Sequence, residues 1–88
     1  MSRAVAELPN LGPVMSGKLA RVGIRTEDEL RAIGAPAAFL RLRAQGERVS
    51  LIALYALDAA LEGRHWLDTG EARKRALRSA AAFDGSDI

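Results

Sequence analysis

The sequence predicts an all-α fold, a compact bundle of about five short helices in one domain. Alanine and leucine supply most of its hydrophobic residues, and both are strong helix formers, whereas the β-branched residues that build sheets are sparse. Glycine and proline separate the apolar segments from one another, as they do between helices. A chain of 88 residues has room for one domain with a modest core.

The first helix is predicted directly after a proline. Pro13 stands where a first helical residue often does, because its missing N–H would be unpaired there in any case. The helix covers about residues 14–22, and Gly23 ends it in the left-handed conformation. Gly17 lies inside this helix at a cost in stability, which predicts that another backbone packs closely against it.

Two further helices are predicted between Thr26 and Gly46. Thr26 and Glu29 have the spacing of a capping box and begin the second helix, which Gly34 ends. Pro36 begins the third helix, which runs to about residue 45. The residues at core spacing in these helices are apolar: Leu30, Ile33, Phe39 and Leu42.

The fourth helix is predicted to be the centre of the bundle. Ser50 caps it, it covers residues 51–62, and Gly63 ends it. Apolar side chains surround most of its circumference, and a helix that is apolar nearly all round belongs in the middle of a fold. They include Leu51, Ile52, Leu54, Tyr55, Leu57 and Leu61.

The last helix is predicted over about residues 70–82. Asp68 and Thr69 are its candidate N-caps, and Asp68 with Glu71 has capping-box spacing. Glu71 and Arg75 are expected to form an ion pair. The predicted inward residues are Ala72, Ala76, Leu77 and Ala80. The predicted outward residues are cations: Arg73, Lys74, Arg75 and Arg78.

The chain divides into an N-terminal arm (residues 1–7), a helical domain (residues 8–83) and a short polar tail (residues 84–88) that is expected to fray. No uncharged stretch, the apolar residues 49–57 included, approaches the roughly 20 residues that cross a bilayer. The N-terminus also lacks the apolar core of a signal peptide. We therefore expect a cytoplasmic protein with no membrane contact.

No set of residues suggests catalysis, a metal or a cofactor. There are no cysteines, and His65 is the only histidine, without carboxylates at ligand spacing. No hydroxyl residue has the surroundings of an activated nucleophile. The segment from Gly63 to Trp66 is instead given a structural role, in which Trp66 plugs the bundle and Arg64 or His65 caps the carbonyls of the fourth helix. The sequence predicts that the protein is not an enzyme.

The segment from Leu8 to Pro13, with the helix that follows, resembles the hairpin and second helix of helix-hairpin-helix domains. In that family a glycine hairpin presents backbone amides to a DNA phosphate at a helix N-terminus. Gly12 matches the hairpin glycine, and Lys18 and Arg21 are further candidate phosphate contacts. Pro13, however, has no amide hydrogen to donate. The net charge of +2 and the pI near 9.7 are only mildly basic, so docking of one helix on the next is the favoured role of the hairpin.

Several separated strings together resemble the C-terminal domain of TfoX/Sxy proteins. The similarity runs from about Leu8 to Leu77, and its motifs include Pro13, Gly23, Ser50, Tyr55, Gly63, Arg64, His65 and Trp66. The strings are Leu8-Pro9-Asn10-Leu11-Gly12-Pro13, Gly23-Ile24-Arg25-Thr26, Val49-Ser50-Leu51, Leu54-Tyr55-Ala56-Leu57 and Leu61-Glu62-Gly63-Arg64-His65-Trp66.

The resemblance implies a regulator of natural transformation, a family with no settled catalytic or ligand-binding residues to transfer. In that family the domain usually follows an N-terminal α/β domain, so we expect either a stand-alone version or an excised fragment. We expect a regulatory domain that acts through protein contacts, with the transcription machinery as a candidate partner. The alternative is sequence-independent DNA binding through the Gly12 hairpin and the basic surface. The oligomeric state stays open.

Overall fold

The computed structural model of the protein describes residues 2–81, and four α-helices form within them. These are α1 (Pro13–Arg21), α2 (Glu27–Ala44), α3 (Leu51–Glu62) and α4 (Glu71–Ala80). Two short 3-10 turns, Val5–Glu7 and Trp66–Asp68, precede α1 and α4. The all-α prediction is confirmed, with four helices in place of about five. The hairpin segment follows a 3-10 turn and leads into α1.

The difference in helix number comes from a kink in α2. At Gly34 the backbone has φ 82° and ψ 160°, a conformation that is essentially restricted to glycine. Pro36 follows two residues later, where it would otherwise disturb the hydrogen bonding of a continuous helix. The predicted second and third helices therefore exist as two segments of one element, with a bend and no loop between them.

Three glycines end helices as predicted. Gly23, Gly46 and Gly63 have φ values of 84°, 83° and 71°. The residue after each glycine donates its N–H to a carbonyl five residues earlier, which is the Schellman arrangement. These bonds are Ile24 to Leu19 at 2.9 Å, Glu47 to Leu42 at 3.0 Å and Arg64 to Ala59 at 3.1 Å.

The starts of α1, α2 and α3 lie where the sequence predicts them, but the predicted capping bonds do not all form. Pro13 is the first residue of α1. The capping box at α2 is confirmed, because the Thr26 hydroxyl accepts from the Glu29 N–H at 3.2 Å and the Glu29 carboxylate accepts from the Thr26 N–H at 3.1 Å. Ser50 precedes α3, but its side chain makes no capping bond. Its carbonyl accepts from the Ala53 N–H at 2.9 Å instead.

The core of the fold lies around α3, as predicted. Every residue from 53 to 60 is buried, and α2 is the main neighbour of this helix. Leu30, Phe39 and Leu42 are buried as expected, while Ile33 is partly buried against the core. The largest fully buried side chains are Phe39, Leu19, Ile24, Leu30, Leu42, Leu54 and Leu57.

The prediction of close backbone packing at Gly17 is wrong. A Cβ atom placed there would meet only the Arg21 guanidinium, at 3.9 Å, within the same helix. Gly17 therefore has no tight neighbour that excludes a side chain.

Residues 2–7 lie against the start of α2. The Val5 N–H donates to the Arg25 carbonyl at 3.0 Å, and the Glu27 N–H donates to the Arg3 carbonyl at 2.8 Å. Val5 itself is buried in the core. The tail predicted at 84–88 lies outside the described residues, and within 2–81 no helix is long and apolar enough to cross a membrane.

The start and the inward face of α4 differ from the prediction. Gly70 is the N-cap residue, with no side-chain cap bond, while Asp68 belongs to the preceding 3-10 turn. Leu77 is buried, as is Ala81 directly after the helix. The other predicted inward residues are exposed: Ala72, Ala76 and Ala80. The side of α4 that contacts α3 carries cations instead: Arg73, Lys74 and Arg78.

Candidate interaction surfaces

A buried carboxylate on α3 contacts both α4 and the segment between α3 and α4 (residues 63–70), which we call the connector. Asp58 is 4% exposed. Its Oδ2 accepts from Arg64 Nη2 at 2.6 Å and from Arg73 Nε at 3.0 Å. A buried charge is costly unless it is paired and hydrogen-bonded, and the two guanidiniums meet both requirements. In turn, the hydrogen bond and negative charge of Asp58 raise the pKa of Arg73.

Arg64 therefore does not cap the fourth predicted helix. Its guanidinium donates to Asp58, to Glu62 at 2.6 Å and to the Thr69 hydroxyl. Thr69 is buried by this contact rather than free to cap α4. The Leu61 carbonyl near the end of α3 accepts instead from Arg31 Nη2, at 3.1 Å.

Tyr55 provides the second anchor for α4. Its hydroxyl accepts from Arg78 Nη1 at 2.7 Å, and Lys74 Nζ lies 5.5 Å from the centre of its ring. Lys74 and Arg78 are accordingly half-buried and not outward as predicted. Glu71 pairs with Lys74, at 3.8 Å, in place of the predicted partner Arg75.

His65 and Trp66 form part of a connector at the surface. His65 is exposed, and its Nδ1 accepts from the Leu67 N–H at 3.1 Å, so the histidine caps the 3-10 turn and not α3. Trp66 packs against the edge of the core and stays partly exposed, so it does not plug the bundle. Among residues 2–81, no group of three or more metal-ligating side chains comes together.

Asn10 fastens the hairpin segment to this connector. Its Nδ2 donates to the Arg64 carbonyl at 2.8 Å, and its Oδ1 accepts from the Trp66 N–H at 3.1 Å. Asn10 has φ 70°, a left-handed conformation that asparagine tolerates better than most residues. The partners of Asn10 cannot be inferred from the sequence, although an asparagine between Pro9 and Gly12 is a typical turn signal.

Two strongly exposed apolar side chains flank the Asn10 bridge along the chain. Val14 is 73% exposed and lies four residues after Asn10, while Leu67 is 67% exposed and directly follows Trp66. Met15 and Trp66, their immediate neighbours, are partly buried against the core. We call Val14 and Leu67, with these two neighbours, the apolar edge.

The three candidate phosphate contacts lie in two different places. Gly12 is exposed at the N-terminus of α1, followed by Pro13, which has no N–H. The backbone of Lys18 lies about 9 Å from Gly12 along the helix axis, at about 1.5 Å per residue. Lys18 Nζ donates to the Arg48 carbonyl, and Arg21 forms a two-point ion pair with Glu47 at 2.7 and 2.9 Å.

The ion pair between Arg21 and Glu47 shifts the pKa of both side chains. Its hydrogen bond and charge raise the pKa of Arg21 and lower the pKa of Glu47. Lys18 and Arg21 thus connect α1 to the loop between α2 and α3, and the structure does not bring them to the Gly12 hairpin.

These features define a small all-helical domain whose hairpin, connector and last helix are held by polar bridges. A match to the TfoX C-terminal domain covers residues 1–81. The chain therefore belongs to the TfoX C-terminal domain family, which is not a known enzyme family.

Two solved structures are similar to the chain over nearly their full lengths. One is a crystal structure of an uncharacterized protein from Listeria monocytogenes in a triclinic form, with 36% identity, a TM-score of 0.83, and coverage of 93% of this chain and 94% of that one. The other is a tetragonal form of a Listeria monocytogenes protein of unknown function, with 38% identity, a TM-score of 0.79, and coverage of 88% and 95%. No curated protein matches the chain.

Proposed function

We propose that the domain is a non-catalytic regulatory module that acts by binding a protein, in the control of competence for DNA transformation. Membership of the TfoX C-terminal domain family supports the regulatory role. The transcription machinery is the partner that this role favours.

The exposure of Val14 and Leu67 is the observation that carries the proposal. Large apolar side chains scattered singly are ordinary on protein surfaces, whereas a contiguous apolar patch is typical of an interaction site, and we infer that Val14 and Leu67 belong to one such patch. The Asn10 bridge ties together the two segments that carry them. Because the segments are fixed to each other, a partner would meet a preformed surface and would lose little free energy in ordering it.

A binding experiment with purified components tests this proposal. The domain is immobilised and challenged with purified bacterial RNA polymerase, and its oligomeric state is measured by size-exclusion chromatography with light scattering. We expect retention of the polymerase by the wild type and loss of retention in Val14→Ser and Leu67→Ser. Ile52→Ser is the matched control, because Ile52 is 50% exposed on α3 and outside the apolar edge.

The outcomes separate clearly. Equal retention by all three variants would contradict a role for the apolar edge. Absence of both a retained polymerase and a dimer would contradict the protein-binding proposal itself. Contact between DNA and the Gly12 hairpin is the weaker alternative, because Pro13 removes an amide donor and because Lys18 and Arg21 lie in the second half of α1, away from Gly12.

A further inference from the structure

Four cations gather where the second half of α1 meets the loop between α2 and α3. Lys18 and Arg21 are three residues apart on α1 and therefore lie on one face of the helix. Lys18 contacts the Arg48 carbonyl and Arg21 contacts Glu47, which places that loop beside them. Arg41, near the end of α2, reaches the Val22 carbonyl at 3.4 Å. We call Lys18, Arg21, Arg41, Arg48 and Glu47 the basic edge.

The basic edge accounts for more than the whole positive charge of the protein. Its four cations and one carboxylate carry a formal charge of +3, whereas the complete chain carries +2. The rest of the chain is therefore slightly negative. A concentration of one sign on one side of a small domain attracts and orients polyanions.

Three of the four cations of this edge are exposed to a ligand, and Lys18 is half-buried. Arg41 and Arg48 are exposed, and the Arg48 contact with Lys18 uses only its backbone carbonyl. The side chain of Arg21 is 60% exposed, although it is paired with Glu47. Exposed ion pairs contribute little net stability, so Arg21 can exchange its carboxylate for a phosphate at small cost.

We propose that the basic edge binds the phosphate backbone of duplex nucleic acid, without reading its bases. Phosphate contacts are made chiefly by arginine and lysine. A protein partner is less suited, since interfaces between proteins need an apolar centre. The basic edge consists of charged residues, and the strongly exposed apolar residues of the described chain are not among them: Val14, Leu40, Ile52 and Leu67.

The same surface favours a duplex over a single strand. Proteins that bind single strands stack the bases on exposed aromatic rings. In residues 2–81, Phe39 and Tyr55 are buried, and Trp66 lies partly buried in the connector.

Fluorescence anisotropy with a labelled duplex of arbitrary sequence tests the proposal. Binding is titrated at several NaCl concentrations from 50 to 200 mM, and we expect a plot of log affinity against log salt with a slope of about −3, for three to four phosphate contacts. Arg41→Gln and Arg48→Gln should each weaken binding and reduce the slope by about 1. Arg75→Gln, an exposed change of equal charge on α4, is the control and should leave the slope unchanged.

A gain of function sharpens the test. Glu47→Gln removes the only carboxylate of the basic edge and releases Arg21, so it should bind the duplex more tightly than the wild type. Circular dichroism and thermal melting confirm that each variant is folded. Absence of binding at 50 mM NaCl, or an equal loss in Arg75→Gln, would overturn the proposal. Competition by polyglutamate as strong as that by unlabelled duplex would also overturn it and would assign the edge to an acidic protein.

Discussion

At the scale of single residues, Asp58 has the greatest influence on the fold. It is the only charged residue that is buried in the part of the chain that the structure describes. Arg64 and Arg73 reach it from the connector and from α4, so one carboxylate joins three segments. A buried ion pair adds little over an apolar contact of the same shape, but removing one partner is strongly destabilising.

Replacing Asp58 should therefore lower the free energy of unfolding considerably more than replacing an exposed aspartate. We expect Asp58→Ala to lower the free energy of unfolding by about 3 kcal/mol, because Arg64 loses its buried partner and α4 loses an anchor. Asp68→Ala, in the exposed 3-10 turn, should change it by no more than about 0.5 kcal/mol. Urea unfolding of both variants measures the difference, and equal stabilities would contradict the role given to Asp58.

Acid should destabilise the protein through its paired glutamates. Hydrogen bonds from Arg3 and Arg31 lower the pKa of Glu27 from the ordinary value of 4.5, and backbone hydrogen bonds from Arg25 and Thr26 lower the pKa of Glu29 in the same way. Folding therefore favours the charged carboxylates. This stability is fully present above the unfolded pKa and is lost as the pH falls through the folded one.

Thermal melting between pH 7 and pH 3 measures this effect. The melting temperature of the wild type should decline below about pH 4.5. Glu27→Gln, which cannot ionise at this position, should decline less steeply over the same range. If the two proteins gave parallel curves, Glu27 would have no part in the acid sensitivity.

At the scale of the elements, the glycines separate into two kinds. Gly34 has a backbone conformation that other residues rarely adopt, whereas Gly17 is an ordinary helical residue with open space around it. From the sequence, Gly34 is expected to end a helix and Gly17 to make room for a neighbouring backbone. Only the backbone angles show that the α2 kink needs its glycine and that α1 does not.

Two alanine substitutions should consequently have opposite effects. Gly34→Ala forces a side chain into a strained conformation and should cost about 1–3 kcal/mol. Gly17→Ala should stabilise the protein by up to about 1 kcal/mol, because alanine loses less backbone entropy in a helix. Chemical denaturation determines both signs. Destabilisation by Gly17→Ala would mean that α1 has a close neighbour after all.

At the scale of the whole molecule, α4 is attached differently from the other helices. Its apolar contribution to the core is limited to Leu77 and, just past its end, Ala81. Its polar contacts with α3 are made by cations, namely Arg73 with Asp58 and Lys74 and Arg78 with Tyr55. We infer that α4 depends on electrostatic contacts, while α3 is held by apolar burial on all sides.

Hydrogen exchange should show this difference. Amides of α4 should exchange through local opening at a lower free energy than amides of α3, which should exchange only on global unfolding. Raising NaCl from 0.1 to 1 M shortens the Debye length from about 10 to 3 Å and should accelerate exchange in α4 more than in α3. Uniform protection of both helices, insensitive to salt, would contradict the inference.

The sequence predicts features that depend on neighbouring residues better than features that depend on distant ones. Gly23, Gly46 and Gly63 end their helices where expected, and the Thr26–Glu29 box begins α2, because these features depend on residues a few positions apart. The errors concern Arg64, Trp66 and the inward face of α4, whose partners lie on other elements. Lys18 and Arg21 are candidate contacts in the sequence, but only the fold places them beside Arg48 and Glu47 on the loop after α2.

The sequence by itself determined the all-helical fold, the glycines that end three of the helices and the central place of α3, because helix propensity, capping and apolar periodicity are local properties that each segment carries. Tertiary structure alone decided which side of α4 faces inward, what Arg64 binds, and that Gly12 lies apart from Lys18 and Arg21. A charged side chain takes the partner that folding brings to it. Asp58 could draw Arg64 and Arg73 together only after the chain had placed α3, the connector and α4 side by side.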